Sequence, residues 1–305
     1  MDRNRMLFCP DLGGELTKEA MSGFLAEKVF GDKNFAELLK ARYDQMGELY
    51  IAVPHNDPRW NLEEQSSDCK NKADCDKQDA RLVVPRSRLV SAPQNVIRLF
   101  DYDNFGHDMP VWVTYNNNPK AKRIMIVSQD PLRKDDEKYH LYLSSPFGVH
   151  SCDFEKRGMD PRVRDMVNSF LGAGLCVYLT DYMKFFAKEK GFIKSMVMKK
   201  KDPQGYRAKF SDSLEYEIKD IVKPSLIIFL GPDFVKSNYT NLPISPQTQR
   251  DMIAEIKWGN SKYNAIITRH PSSRFVRTED NPHPAITYFN RIVEMALKYL
   301  SSSVA

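Results

Sequence analysis

Long apolar runs are missing from this 305-residue chain, and none approaches the ~20 residues that a membrane-crossing helix requires. The first ten residues, Met-Asp-Arg-Asn-Arg-Met-Leu-Phe-Cys-Pro, lack the apolar centre of a secretory signal. Cysteine is sparse and irregularly spaced. The five include no Cys-x-x-Cys pair, with Cys69 and Cys75 in a polar segment and Cys152 and Cys176 elsewhere, so neither a zinc site nor an iron–sulfur cluster has support. Reduced thiols, a cytoplasmic location, and no metal or cofactor are the expectation. The glycine loops that cradle phosphates are absent too: neither GxGxxG nor GxxxxGK[ST] occurs, which argues against a nucleotide-dependent enzyme. A net charge of +5 is a mild excess, so affinity for a polyanion must come from local clustering. What is present is an ordinary globular composition, 42% hydrophobic and 28% charged, long enough for one large domain or two smaller ones.

The chain is organised around Arg123-Ile124-Met125-Ile126-Val127-Ser128-Gln129-Asp130-Pro131-Leu132. Its apolar run, rich in β-branched residues, reads as a strand buried on both faces. Pro131 cannot donate a ladder hydrogen bond, so the backbone leaves the sheet there and Asp130 arrives at the carboxyl edge, where open α/β sheets bind ligands. A lone Asp-Pro reads more readily as a turn cap. A second segment of the same design shifts the balance: Ala265-Ile266-Ile267-Thr268-Arg269-His270-Pro271-Ser272-Ser273-Arg274 is again a buried strand, a polar residue of catalytic type, then proline.

Strands at about 124–128, 175–180, 225–230 and 264–268 alternate with helical stretches at Asp160 to Leu171, Asp212 to Val222, Gln247 to Ile256 and Ala285 to Leu300. Such alternation predicts a three-layer α/β/α fold with a mostly parallel four-stranded central sheet. Residues 15–50 show helical spacing, residues 54–79 form a polar loop, and residues 81–115 hold short apolar stretches that read as strands or edge segments. The expected division is a helical N-terminal extension, 1–95, ahead of an α/β/α domain, 96–305. A cationic segment, Lys188 to Lys209, includes Lys199, Lys200 and Lys201 and follows the strand end at Asp181. It reads either as a solvated loop or as a contact to a phosphate backbone.

These strand ends resemble the uracil-DNA glycosylase superfamily. Ser128-Gln129-Asp130-Pro131-Leu132 is similar to its Gly-Gln-Asp-Pro-Tyr motif, and His270-Pro271-Ser272-Ser273-Arg274 to its His-Pro-Ser-Pro motif, with Arg as in the single-strand-selective branch. Pro146-Phe147-Gly148 matches that branch, and Leu179-Thr180-Asp181 falls where the family has an apolar strand ending in Asn. The resemblance spans roughly residues 120–300. It implies a DNA glycosylase with DNA as partner, acting as a monomer. A carboxylate beside the anomeric carbon stabilises an oxocarbenium-like sugar and orients water, a role the resemblance assigns to Asp130. His270 would stabilise negative charge on the leaving base. Gln129, Leu132, Phe147 and Asp181 would line the base pocket, with Phe147 stacking on a flipped base. Arg274 would wedge into the helix, and Ser272 and Ser273 would hold phosphates. Tyr182, Phe185 and Phe186 read as packing residues rather than base-stacking ones.

Two departures bear on the base. Leu132 replaces a tyrosine whose ring collides with substituents at C5 of a pyrimidine. Asp181 replaces an asparagine that donates to O4 and accepts from N3–H of uracil. A carboxylate cannot donate to O4, whereas it accepts from the N4 amino group of cytosine, and if protonated it also donates to N3. The two together point to a C5-modified cytosine, hydroxymethylated or glucosylated, such as marks certain phage DNAs and is removed by anti-phage members of the superfamily. Asp181 also fits an N-cap role. The competing readings are a uracil or deaminated-base repair enzyme, a non-catalytic DNA-binding module of this fold, and an unrelated α/β enzyme acting on a phosphorylated small molecule.

Overall fold

A computed structural model describes residues 5–9, 17–31, 33, 35–37, 39–40, 43, 53–54, 82–83, 105–114, 120–129, 141–144, 146, 161–187, 206–231, 253–258, 261–271 and 277–302. Its centre is four parallel strands: β6 (Arg123–Ser128), β8 (Cys176–Asp181), β10 (Leu226–Leu230) and β12 (Ser261–Thr268), in the order β12-β10-β6-β8. These are the four strands expected from sequence. Their runs are apolar because both faces of a parallel sheet are covered, and β6 and β10 show it, with Ile124 to Val127 and Leu226 to Leu230 all buried.

The sheet is larger than the four strands expected. Among the described residues, antiparallel strands extend it on both sides, giving eight. On one side β5 (Val111–Thr114) pairs with β8, β1 (Arg5–Cys9) with β5, and β2 (Val53–Pro54) with β1. On the other, β11 (Ile253–Trp258) pairs with β12. The helix expected over Gln247 to Ile256 is therefore overturned across residues 253–256, where the chain is a strand. A separate four-stranded sheet joins β3 (Leu82–Val83), β7 (Leu141–Ser144), β4 (Phe105–Asp108) and β9 (Phe186–Ala187).

Helix α2 (Pro161–Gly172) carries the chain from β6 to β8, and α3 (Tyr206–Tyr216) carries it from β8 back past β6 to β10. Right-handed crossovers in opposite directions place these helices on opposite faces. The long helix α4 (Pro284–Ser302) packs on α2, while α1 (Thr17–Phe24) and its continuation pack on α3. Both α1 and α3 widen into π-helical turns, Leu25–Phe30 and Glu217–Val222. The residues before these turns, Phe24 and Tyr216, stack on each other with ring centres 4.2 Å apart. Helix α2 ends in a Schellman motif that aims the chain into β8. Gly174 N–H bonds the Leu171 carbonyl (2.9 Å) and Leu175 N–H that of Phe170 (3.1 Å), a turn closed by Gly174 at φ +79°.

The N-terminal helix shares the main core: Met21, Leu25, Ala26, Val29 and Phe30 are buried in the same apolar cluster as the parallel strands. Cys176 is buried there as well, and burial pushes its thiol above the ordinary range, which suits a packing residue rather than a nucleophile. Among the described residues no helix is long and apolar enough to cross a membrane.

Candidate active site

The direction of chain travel reverses at β6: the connection after it leads to β8, and the one after β8 leads to the other side. A crevice opens at such a switch point, beyond the carboxyl ends of the strands. Register defines what lies along it. Ser128 is level with Asp181, Val127 with Phe229, and Leu230 with Thr268, so Asp181, Ser128, Leu230 and Thr268 form one row across four strands. One residue further along lie Gln129, Gly231 and Arg269. Asp130 follows Gln129, and His270 follows Arg269.

Strands β6 and β12 are separated only by β10, a gap of about 10 Å at two strand spacings. Between them β10 turns away at Gly231, whose φ of +114° a side chain would oppose, while its N–H still bonds the Thr268 carbonyl at 2.9 Å. The central strand thus stops where its neighbours deliver Gln129 and His270.

Of the residues expected at the site, Gln129 is half-buried at the end of β6 and its carbonyl accepts Met183 N–H at 3.0 Å. His270 is half-buried two positions past β12. Asp181 is the last residue of β8, buried, and its carboxylate accepts a hydrogen bond from the Ser128 hydroxyl. The side chain thus turns to the neighbouring strand. Asp130, Leu132, Phe147, Ser272, Ser273, Arg274, Lys199, Lys200 and Lys201 lie outside the described residues. Pro146, which precedes Phe147, is buried just past the end of β7. Tyr182 and Phe185 are core residues, as expected, and Phe185 packs edge-on against Tyr206 and Phe210.

Two features were not anticipated from sequence. The Tyr288 hydroxyl, from α4, accepts Arg269 N–H at 3.0 Å and shares a hydrogen bond with Thr268 Oγ1 at 2.7 Å. The Arg269 guanidinium lies over the same ring, 5.9 Å from its centre. One phenol therefore fixes the backbone next to His270, and its spacing of 20 residues from Thr268 leaves no local sequence signal. The second is a buried ion pair between Lys184 and Glu217, both side chains with zero exposure. Among the described residues no three His, Cys, Asp or Glu side chains gather to hold a metal ion.

Among the described residues the edge thus carries Asp181, Gln129 and His270 at or just past the ends of three parallel strands beside a switch point. A family model described as the uracil DNA glycosylase superfamily aligns with residues 115–294, more than half the chain and the segment that holds all four parallel strands. A comparison with curated proteins finds none that matches. With that match, and an α/β sheet of the class expected for it, this chain belongs to the uracil-DNA glycosylase superfamily.

Proposed function

We propose that this protein is a monofunctional DNA glycosylase that flips out and hydrolytically excises a C5-modified cytosine, hydroxymethylated or glucosylated, in defence against phage. Members of its superfamily are DNA glycosylases, and DNA is the partner that follows. In the reaction, water adds to the anomeric carbon and the bond to the base nitrogen breaks, the base leaving with the bonding pair. Asp130 would orient the water and stabilise the cationic sugar, and His270 would stabilise charge on the departing base. Phe147 would stack on the base, Gln129 and Leu132 would flank it, and Arg274 would fill the gap in the helix. Ser272, Ser273 and the lysines at 199–201 would hold phosphates.

The observation that carries the choice of base is the carboxylate of Asp181, anchored by Ser128 at the end of β8, where the family resemblance implies an amide. An acceptor there suits the cytosine amino group and opposes the uracil O4. A mismatched buried donor–acceptor pair costs ~1–3 kcal/mol, one to two orders of magnitude in selectivity. Excision of ordinary cytosine would destroy the host genome, and Leu132 in place of the tyrosine that the resemblance implies would not oppose a substituent at C5, so a modified cytosine satisfies both conditions.

The test is a panel of duplex oligonucleotides carrying uracil, cytosine, hydroxymethylcytosine or glucosylated hydroxymethylcytosine. Abasic sites are expected with one or both modified bases and with neither of the others. Asp130→Ala should abolish cleavage, and Asp181→Asn should shift selectivity toward uracil at least tenfold. Cleavage of uracil alone by the unaltered protein would make it a deaminated-base repair enzyme and end this reading.

A further inference from the structure

We infer that the buried Lys184–Glu217 pair is a positioning device that holds Asp181 in its base-reading orientation, an inference that rests on the reading of Asp181 proposed above. Lys184 lies three residues beyond Asp181, and the chain folds back so that its ammonium reaches both sides of that residue. It donates to Thr180 Oγ1 at 2.7 Å, to the carbonyl of Asp181, and to Glu217 Oε1. Glu217 is the first residue of the π-helical turn that ends α3, and it also accepts from Ser213 Oγ at 3.4 Å. π-Turns within helices are rare and concentrate at functional sites.

The rest of the turn is fastened as firmly. Tyr182 N–H bonds the Ser128 carbonyl at 2.9 Å, Met183 N–H bonds that of Gln129 at 3.0 Å, and His107 Nδ1 donates to the Lys184 carbonyl. The Asp181 carboxylate is thus held from its own side by Ser128, and its peptide from the other by Lys184. Burying two full charges brings no net stability that packed apolar side chains of similar volume could not match. What an apolar pair cannot do is donate hydrogen bonds to Thr180 and to the Asp181 carbonyl. That donation is the property peculiar to Lys184, and it falls on Asp181, which stands where the family resemblance implies an asparagine. Glu217 stands against the ammonium with both side chains fully buried.

The experiment compares the intact protein with Lys184→Met/Glu217→Leu, with the exchanged pair Lys184→Glu/Glu217→Lys, with Thr180→Val and with Asp181→Asn. Selectivity is read as the ratio of kcat/KM for the best modified-cytosine duplex to that for the uracil duplex. Hydrogen exchange at the Tyr182 and Met183 amides gives a readout independent of catalysis. The apolar double variant is expected to melt near the intact protein, yet to lose at least tenfold in selectivity and exchange those two amides at least tenfold faster. The exchanged pair keeps one charge of each sign but sets a carboxylate against a carbonyl, so it should not restore selectivity. Thr180→Val keeps both charges and should show a smaller loss in the same direction, which keeps the test decisive if the double variant does not fold.

Unchanged selectivity and unchanged amide exchange in the folded double variant, or in Thr180→Val where the double variant does not fold, would overturn the inference. So would full rescue by the exchanged pair, since charge neutralisation alone would then suffice. If Asp181→Asn itself leaves selectivity unchanged, Asp181 does not read the base, and the inference falls with that reading. If Asp181→Asn shifts selectivity while the folded pair variants do not, only the role of the pair has failed.

Discussion

Replacing Tyr288 by Phe removes one oxygen atom and tests whether the backbone before His270 must be fastened. The ring stays, so packing against Phe289, 5.1 Å away, and the approach of Arg269 to the ring face are retained. Two hydrogen bonds are lost, to Arg269 N–H and to Thr268 Oγ1. A typical bond contributes about 0.5–1.5 kcal/mol net, and a partly buried N–H left without an acceptor costs more, so the loss sums to roughly 1–3 kcal/mol. For a chain of this size about 2 °C of melting temperature accompanies each kcal/mol, giving a drop of roughly 2–6 °C. Activity should fall further than stability explains, because a displacement of ~1 Å at a reacting group costs up to about 100-fold. The assay pairs thermal unfolding with single-turnover cleavage of the preferred duplex at a temperature where both proteins are folded. Duplex affinity should not change, since the phenol is engaged within the protein. A variant that melts lower yet cleaves at the unaltered rate would show that Tyr288 supports the fold and not His270. One that matches the intact protein in both would refute the structural argument itself.

Two further outcomes follow from the packing. Phe30→Ala should destabilise the protein by about 3–5 kcal/mol in chemical unfolding, although Phe30 precedes the family-matched segment, because the ring is 1% exposed and a cavity would remain; a change below about 1 kcal/mol would mean that the N-terminal helix does not share the core. The Tyr178 phenol is held well above the ordinary tyrosine range, first by burial and then by the negative charge of Glu217, so its stabilising contribution is intact below about pH 10 and shrinks above it by about 1.4 kcal/mol per pH unit. Tyr178→Phe should therefore show a shallower alkaline loss of stability than the intact protein, and parallel slopes in the two would contradict that placement.

The parallel strands could be read from sequence because burial on both faces writes itself as unbroken apolar runs such as Leu226-Ile227-Ile228-Phe229-Leu230. The antiparallel edge at β11 could not be read from residue preference, since Met252-Ile253-Ala254-Glu255-Ile256 contains good helix formers. A signal existed nonetheless. Trp258 pairs with Ser261, leaving only Gly259-Asn260 between the strands, and two residues of that kind between extended runs mark a hairpin. Strand β1 is five residues whose partner, β5, lies about a hundred positions away, and no local pattern encodes such pairing. The motifs at the strand ends were legible because proline and a polar residue terminate each run abruptly. Their supports were not. Glu217 reaches Lys184 from a helix 33 positions on, and Tyr288 reaches Arg269 from another 19 positions on, contacts that exist only once the crossovers have closed.

The described supports of the Asp181 turn divide along the boundary of the family match. The matched segment supplies Ser128, Thr180, Lys184 and Glu217, which touch the turn directly. Behind them stand parts of the chain that precede residue 115. Strand β4 contributes His107 to the Lys184 carbonyl, and Phe30 from the π-turn after α1 packs edge-on against His107 at 5.2 Å and lies 6.5 Å from Phe185. A wall of this kind excludes water from a buried ion pair, and low local dielectric is what makes its hydrogen bonds directional and costly to break. The N-terminal helix is thereby tied to the strand end that carries Asp181. On the reading proposed for Asp181, the carboxylate sets the base preference, while the ammonium beneath it and the apolar wall behind it keep its turn in place.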